Sequence, residues 1–134
     1  MGAAAAAAKA SFLPGGVGAG TADERAVLRT PVRVVIVTMD THLASATERA
    51  RAALQRELPG LVLSAHAAAE WAGRPALLQR CLAHIAEADI VIVTMLFMEE
   101  HFLPVLDALR ARRPHCDAML CAMSAAEVTR LTRL

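Results

Sequence analysis

The sequence predicts an open, doubly wound α/β fold, in which helices connect the strands of a parallel sheet. Two runs of mostly β-branched residues, 34–39 and 90–95, carry no charge, and both end in threonine followed by methionine. Because neither run alternates apolar with polar residues, we expect strands buried on both faces, as in parallel sheets covered by helices. Segments with helical periodicity separate the strands, and the order β-α-β-α-β-α-β-α is typical of this fold class.

The first two strands and the helix between them follow Pro31. Residues 32–38 form the first predicted strand, and Asp40 or Thr41 can cap the helix that follows. A proline–glycine pair ends this helix, and residues 61–65 form the second predicted strand. Apolar residues recur along the helix at about every 3.6 positions, namely at Leu43, Ala46, Ala50, Leu54 and Leu58.

The second half of the chain repeats this pattern. A loop that carries Trp71, a candidate packing or interface anchor, leads to Pro75, which suits the first turn of a helix. Residues 90–94 and 117–122 form the third and fourth strands, and Pro104 between them fits a helix only in its first turn. The helical stripes expected to face inward are Leu77, Leu78, Cys81, Leu82, Ile85 and Ala88, and then Leu103, Leu106 and Leu109.

The end of the chain predicts a last helix and a fold that continues. Ser124 and Glu127 have the spacing of a capping box, and apolar residues recur from Ala125 to the last position. Since no glycine or polar tail ends this helix, we expect an incomplete domain: four β-α units of a flavodoxin-like sheet. This domain spans residues 31–134, whereas residues 1–30 are rich in alanine and glycine and predict a disordered tail.

The composition excludes several classes of function. A net charge of +1 and an aromatic content of 3% give no basis for nucleic-acid binding. No apolar run approaches the ~20 residues of a transmembrane helix. The turn after the first strand contains no glycine that would let backbone approach the phosphates of a nucleotide. The cysteines predict small buried hydrophobes in a reducing compartment, and hence the cytoplasm; they are Cys81, Cys116 and Cys121.

Acidic residues and histidines follow the predicted strands at their carboxyl ends, where ligands bind in open parallel sheets. Asp40, His42 and His66 are candidates for a divalent metal site, together with the acids and histidine after the third strand. The same side chains also suit helix caps and solvated loops, so both interpretations stay open.

The loop and helix start after the third strand hold the other candidates. Glu99, Glu100 and His101 form a candidate acid–base cluster, although a helix dipole favours acids in a first turn whatever the function. The apolar loop before them contains Met95, Phe97 and Met98. We expect these three side chains to contact a flat apolar ligand, a neighbouring domain or the core of their own domain.

Four segments together resemble a known family. They are residues 34–43, 88–101, 116–119 and 123–132, and the most distinctive parts are Met95-Leu96-Phe97-Met98-Glu99-Glu100-His101 and Met123-Ser124-Ala125-Ala126-Glu127-Val128. The segments are similar to the amino-terminal domain of the large H subunit of magnesium chelatase, most closely in its bacteriochlorophyll-pathway version. The resemblance extends over residues 32–134 without obvious gaps.

This resemblance implies a function for a longer protein. The family's H subunit binds protoporphyrin IX. With an AAA+ ATPase subunit and a subunit that carries an integrin-like metal-binding domain, it inserts Mg²⁺ in an ATP-dependent step of chlorophyll or bacteriochlorophyll biosynthesis. Cobaltochelatase has a related large subunit. The resemblance implies an amino-terminal fragment that holds no cofactor and is not catalytic alone; the alternatives are a docking module and a free-standing small-molecule or response-type domain.

Overall fold

The computed structural model describes residues 31–134, and the predicted disordered tail, residues 1–30, lies outside the described residues. The strands are β1 (Val32–Thr38), β2 (Leu61–Ala67), β3 (Ile90–Thr94) and β4 (Ala118–Ala122). The helices are α1 (His42–Glu57), α2 (Pro75–Glu87), α3 (Glu99–Arg112) and the single turn α4 (Ala126–Thr129), with a 3₁₀ turn at Ala68–Glu70. Within this part of the chain, no helix is long and apolar enough to cross a membrane.

The four strands form one sheet in the order β2-β1-β3-β4, and every pair in it is parallel. The predicted flavodoxin-like α/β fold is therefore confirmed. Predicted bounds agree with the observed ones for β1 and β3, because charge-free β-branched runs define both strands. The second strand is two residues longer than predicted, because the pairing of β1 with β2 continues to Thr38 and Ala67.

The hydrophobic core lies on one face of the sheet only. The buried apolar strand residues are odd-numbered, and they pack against α2 and α3; they are Val35, Val37, Val91, Val93, Met119 and Cys121. The even-numbered apolar residues of the central strands are only half-buried, and Leu120 in β4 is 40% exposed. The predicted burial of the strands on both faces is thus wrong.

The direction of the connections explains this one-sided core. The chain moves from β1 to one neighbour, β2, and then crosses back over β1 to β3 and β4. Right-handed connections then place α1 alone on one face and both α2 and α3 on the other. None of the described side chains of α1 is buried. We call the uncovered even-numbered surface the open face; its apolar members are Val34, Ile36, Ile90, Ile92 and Leu120.

The inward stripe of α3 differs from the predicted one. Phe102, Val105, Leu106 and Leu109 are buried, whereas Leu103, predicted to face inward, is 54% exposed. The buried positions follow the spacing i, i+3, i+4, i+7, which leaves Leu103 outside the stripe. Pro104 is the sixth residue of α3 and lies in its second turn, so the prediction that it falls in the first turn is wrong. Its missing N–H removes one hydrogen bond of the helix, the one to the Glu100 carbonyl.

The predicted long helix at the end of the chain is wrong as well. Helix α4 has four residues, after which Arg133 pairs with Met119 in an antiparallel bridge along the outer edge of β4. The Thr132 hydroxyl strengthens this pairing, because it donates to the Cys121 carbonyl and accepts from the Cys121 N–H. Hydrogen bonds from Thr132 and Arg133 to the edge of β4 thus replace those of a further helical turn.

Ser124 does not form the predicted capping box. Its hydroxyl accepts a hydrogen bond from the Leu96 N–H at 3.1 Å and donates one to the Ala122 carbonyl at 3.1 Å. The N-cap residue of α4 is Ala125, which makes no side-chain cap bond. Ser124 therefore ties the loop after β4 to the loop after β3 instead of starting a helix.

The three cysteines are free and buried, as predicted. Burial raises the pKa of the Cys81 thiol to about 12 and that of the Cys121 thiol to about 11. Both thiols therefore stay protonated near neutral pH, and they act as packing groups, since reaction with a metal or an oxidant needs the thiolate.

Helix α3 offers a matched pair of leucines that tests the position of the core. Leu109 is 0% exposed and Leu103 is 54% exposed. Leu109→Ala should lower the free energy of unfolding by about 2–4 kcal/mol, through lost burial and a residual cavity. Leu103→Ala should lower it by less than about 1 kcal/mol. Urea unfolding of both variants measures these values, and equal losses would contradict the one-sided core.

Candidate functional site

The loops at the carboxyl edge of the sheet are hydrogen-bonded in two separate pairs. The Ala69 N–H donates to the Met39 carbonyl at 2.8 Å and joins the loops after β2 and β1. The Met95 N–H donates to the Met123 carbonyl at 2.8 Å and joins the loops after β3 and β4. The two pairs separate between β1 and β3, where the chain reverses its direction across the sheet. Such a switch point is where open α/β sheets bind ligands.

A cavity of about 340 Å³ lies at this switch point, and we call it the crevice. One wall comes from the segment after β2, with Trp71 only 6% exposed, and the other from the first turns of α3. Most of its lining is apolar, namely Ala68, Ala69, Trp71, Ala72, Leu78 and Pro104, and its polar members are Glu100 and His101. An apolar pocket with a few convergent polar groups is the usual form of a small-molecule site.

Two buried polar atoms at this edge have no hydrogen-bond partner among residues 31–134, and they are the only such atoms found there: Thr38 Oγ1 and His101 Nδ1. Thr38 ends β1, and the His101 side chain is only 13% exposed. A buried polar atom without a partner costs about 1–3 kcal/mol, so such atoms usually meet a ligand or an ordered water. Both atoms lie where the topology predicts a ligand.

The Met95–Met98 loop turns sharply, and its two ends face different surroundings. Met95 has a φ of 64°, in the left-handed region, which costs a non-glycine residue about 1 kcal/mol. After this turn Leu96 is fully buried, whereas Phe97 and Met98 are 57% and 51% exposed. Phe97 and Met98 therefore do not belong to the core of the described residues, and their contact with a ligand or a neighbouring domain stays a prediction.

Glu99 and Glu100 occupy the first turn of α3, and both are exposed. Glu100 Oε1 lies 3.9 Å from His101 Nε2, so these two side chains form a loose pair at the crevice wall. Glu99 does not line the crevice. The helix dipole accounts for the presence of both acids, and only Glu100 and His101 are also placed to meet a ligand in the cavity.

The residues predicted to bind a metal occupy different surroundings. Asp40 Oδ1 accepts the backbone N–H of His42 at 2.9 Å, so Asp40 caps α1 and His42 is an exposed residue of its first turn. His66, predicted to lie beyond a strand end, lies within β2 and contacts His84, with 3.0 Å between His66 Nε2 and His84 Nδ1. The described part of the chain holds no cluster of three or more metal-ligand side chains with suitable geometry.

The two histidines face each other beside β2, in a site that the sequence alone did not identify. His84, on α2, is half-buried, and the two ring centroids are 4.9 Å apart. Burial, followed by the charges of His84 and Arg80, lowers the pKa of His66 to about 4. His66 is thus neutral in the folded protein at every pH near neutrality.

The fold is that of a flavodoxin-like α/β domain, and the crevice is a candidate ligand site at its topological switch point. Residues 33–134 match the family described as "Domain of unknown function (DUF3479)", and the chain belongs to this family.

The chain is similar in sequence to two relatives, and both carry the name of the H subunit of magnesium chelatase. The relative from Cereibacter sphaeroides is 43% identical over 101 residues, which are 75% of this chain and 8% of the relative. The relative from Rhodobacter capsulatus is 38% identical over 101 residues, with the same shares. The similarity to the H subunit of magnesium chelatase that the sequence predicted is therefore confirmed, and the chain spans about 8% of the length of these relatives.

The low pKa of His66 predicts a pH-dependent stability. The unfolded chain takes up a proton at this ring below about pH 6.5, whereas the folded protein does so only near pH 4. The contribution of His66 to the free energy of unfolding is therefore constant above pH 6.5, and it is lost as the pH falls from there towards 4. We expect a loss of about 1–2 kcal/mol, reduced from the full linkage value because the ring is partly exposed.

Urea unfolding at pH 7.5 and pH 4.5 in metal-free buffer measures this effect. His66→Gln should lose less stability than the unchanged chain over this interval, because its side chain does not titrate. His42→Gln, which alters an exposed histidine, should keep the original dependence. Equal losses of stability in the His66→Gln variant and the unchanged chain would show that His66 does not cause this pH dependence.

Proposed function

We propose that this chain is a domain of an H-type subunit of magnesium chelatase, the porphyrin-binding subunit of that enzyme. The complete subunit acts in the cytoplasm and takes part in the ATP-dependent insertion of Mg²⁺ into protoporphyrin IX, a step of chlorophyll or bacteriochlorophyll biosynthesis. The identity of 43% and 38% to relatives of that name supports this proposal. The large subunit of a cobaltochelatase is the alternative within the same class of enzyme.

The chemistry is divided among subunits in this proposal. An AAA+ ATPase subunit hydrolyses ATP, a further subunit carries an integrin-like metal-binding domain, and the H-type subunit presents the porphyrin. The turn between β1 and α1, residues 39–41, contains no glycine, so its backbone offers no cradle for a nucleotide's phosphates. Protoporphyrin IX and Mg²⁺ are the substrates, and the remainder of the H subunit is the nearest partner of this domain.

The observation that carries the proposal for this domain is the crevice; the exposed apolar residues Phe97 and Met98 directly precede α3, whose first turns form one of its walls. Its volume of about 340 Å³ lies at the lower end of the ~300–1,000 Å³ of sites that enclose a drug-sized ligand. The domain therefore offers one wall for a flat tetrapyrrole, and the rest of the subunit supplies the others. For the same reason we propose that this chain alone is not catalytic.

The polar groups of the crevice suit a supporting role in metal insertion. A porphyrin loses its pyrrole N–H protons when a metal enters, so a proton acceptor near the ring is useful. His101 Nδ1 has a free position for such a proton, and the Glu100 carboxylate lies next to that ring. We assign proton acceptance to Glu100 and His101, with Glu99 as a further acid at the rim, and ring contact to Met95, Phe97 and Met98.

A chelatase complex reconstituted with an H-type subunit that carries this domain tests the proposal. Phe97→Ala/Met98→Ala should raise the KM for protoporphyrin IX by about three- to tenfold, because apolar contact with the ring is lost. Val62→Ala is the matched control, since Val62 is 50% exposed at the opposite end of the sheet, and it should leave the KM unchanged. The KM of both variants is measured from the rate of Mg-protoporphyrin formation.

The same assay decides the remaining assignments. An unchanged KM in the Phe97→Ala/Met98→Ala variant would remove the loop as a porphyrin contact. An unchanged rate in Glu99→Gln/Glu100→Gln would remove both carboxylates as proton acceptors.

A second candidate function is a docking module without contact to the porphyrin, and the open face favours it. Parallel sheets are normally covered on both faces, yet Val34, Ile36, Ile90 and Ile92 are only half-buried here and Leu120 is 40% exposed. An apolar surface of this kind suits a helix of another domain or subunit. Under this alternative, Phe97 and Met98 also contact another domain or subunit and do not contact a porphyrin.

The single tryptophan separates the two candidates. Trp71 lines the crevice and is 6% exposed, so protoporphyrin IX that enters the crevice should quench its fluorescence. Titration of protoporphyrin IX into the chain, corrected with free tryptophan at equal absorbance, measures this quenching. If Trp71 emission falls no more than that of free tryptophan, the result favours the docking module. Additional quenching that is weakened by Phe97→Ala/Met98→Ala favours the porphyrin site.

A further inference from the structure

A second cavity, of about 270 Å³, lies beside the edge strand β2, and the proposed chelatase role does not use it. Its walls come from β2, from α2 and from residues 47–51 of α1. His66 and His84 face each other inside it, so two imidazole rings from different elements meet within one solvent-connected space. This cavity adjoins the crevice at Trp71, but the two histidines do not line the crevice.

The geometry of the two rings is close to that of a pair of metal ligands. His66 Nε2 and His84 Nδ1 are 3.0 Å apart, and the ring planes are inclined by 62°. Two imidazole nitrogens that bind one metal ion at ~2.0–2.1 Å are separated by about 3.0–3.4 Å, in cis octahedral or tetrahedral geometry. A small rotation of each ring therefore directs both lone pairs at one point.

The protonation states also permit metal binding. In the hydrogen-bonded pair one nitrogen carries the shared proton, which must move to the far nitrogen of its own ring before both lone pairs are free. No additional proton competes for the His66 ring near neutral pH, because burial keeps this ring neutral down to a pKa of about 4. Neutral imidazole is the form that binds metal ions.

The charges around the pair are mixed: the positive charge of Arg80, which helps to lower the pKa of His66, also disfavours a bound cation, and the carboxylates of the cavity offset it. Arg80 and Arg51 line the cavity, and so do Glu48 and Glu70, so the ionised lining groups cancel in number. Arg51 is already paired with Glu48, which leaves Glu70 as the carboxylate available to a bound ion. Water molecules, together with this carboxylate, complete the coordination.

We propose that His66 and His84 form a two-imidazole binding site for a transition-metal ion of the Zn²⁺, Ni²⁺ and Cu²⁺ class. Imidazole suits these ions, whereas Mg²⁺ prefers oxygen ligands and keeps its water. The site therefore discriminates against Mg²⁺. A bound ion also links β2 to α2, and because the unfolded chain holds no preformed pair, it stabilises the fold.

Calorimetric titration of the tag-free chain with Zn²⁺ in the presence of a reductant tests the proposal. We expect one site that is at least about tenfold weaker in His66→Gln and in His84→Gln, since even the loss of an outer-sphere partner costs about 10–100-fold in metal affinity. His115→Gln, which alters an exposed histidine in the turn before β4, should bind Zn²⁺ like the unchanged chain. Mg²⁺ at the same concentration should give no heat of binding.

Electron paramagnetic resonance of bound Cu²⁺ supplies a readout that a merely structural change would not produce. The unchanged chain should show coupling to two nitrogen ligands, and each single variant should show coupling to one. Circular dichroism confirms that the variants are folded. Absence of Zn²⁺ binding to the unchanged chain, or equal Zn²⁺ affinity in His84→Gln, would overturn the proposal.

Discussion

The reversal of chain direction between β1 and β3 is the constraint on which the rest of the structure depends. From β1 the chain moves outward to β2, and from β2 it must cross back to reach β3 and β4. Since such crossings are right-handed, one helix lies on one face and two on the other. The same reversal divides the carboxyl-edge loops into two hydrogen-bonded pairs and opens the crevice between them. The one-sided core and the candidate site therefore have a single topological cause.

Local sequence patterns predicted the elements well, because the signals for them are short-range. The charge-free runs mark the positions of β1 and β3, whose predicted bounds agree with the observed ones, and the edge on which His101 lies follows from strand direction alone. The end of the chain was predicted poorly, since helical periodicity there competes with an edge of β4 that only the folded sheet presents. Arg133 and Thr132 bind this edge, and no local sequence pattern predicts that pairing.

The candidate site was predictable only in part, for the same physical reason. Glu100 and His101 are adjacent in sequence and lie at a strand end, so their place in the site could be predicted. His84 could not be linked to His66 before the fold was known, because the two are separated by 18 positions and meet through the packing of α2 on β2. Trp71 was recognised as an anchor, but its place in the crevice wall depends on the position of α3.

The two candidate functions use opposite sides of the sheet. The crevice is built from α2, α3 and the segment after β2, on the covered face, whereas the open face lies on the side of α1. A helix that covers the open face would therefore not obstruct a ligand in the crevice. It would also bury the half-exposed residues of β1 and β3, which carry loops of both carboxyl-edge pairs, and so would hold those loops in place. Docking on one face thus supports ligand binding at the edge, because both act through the same two strands.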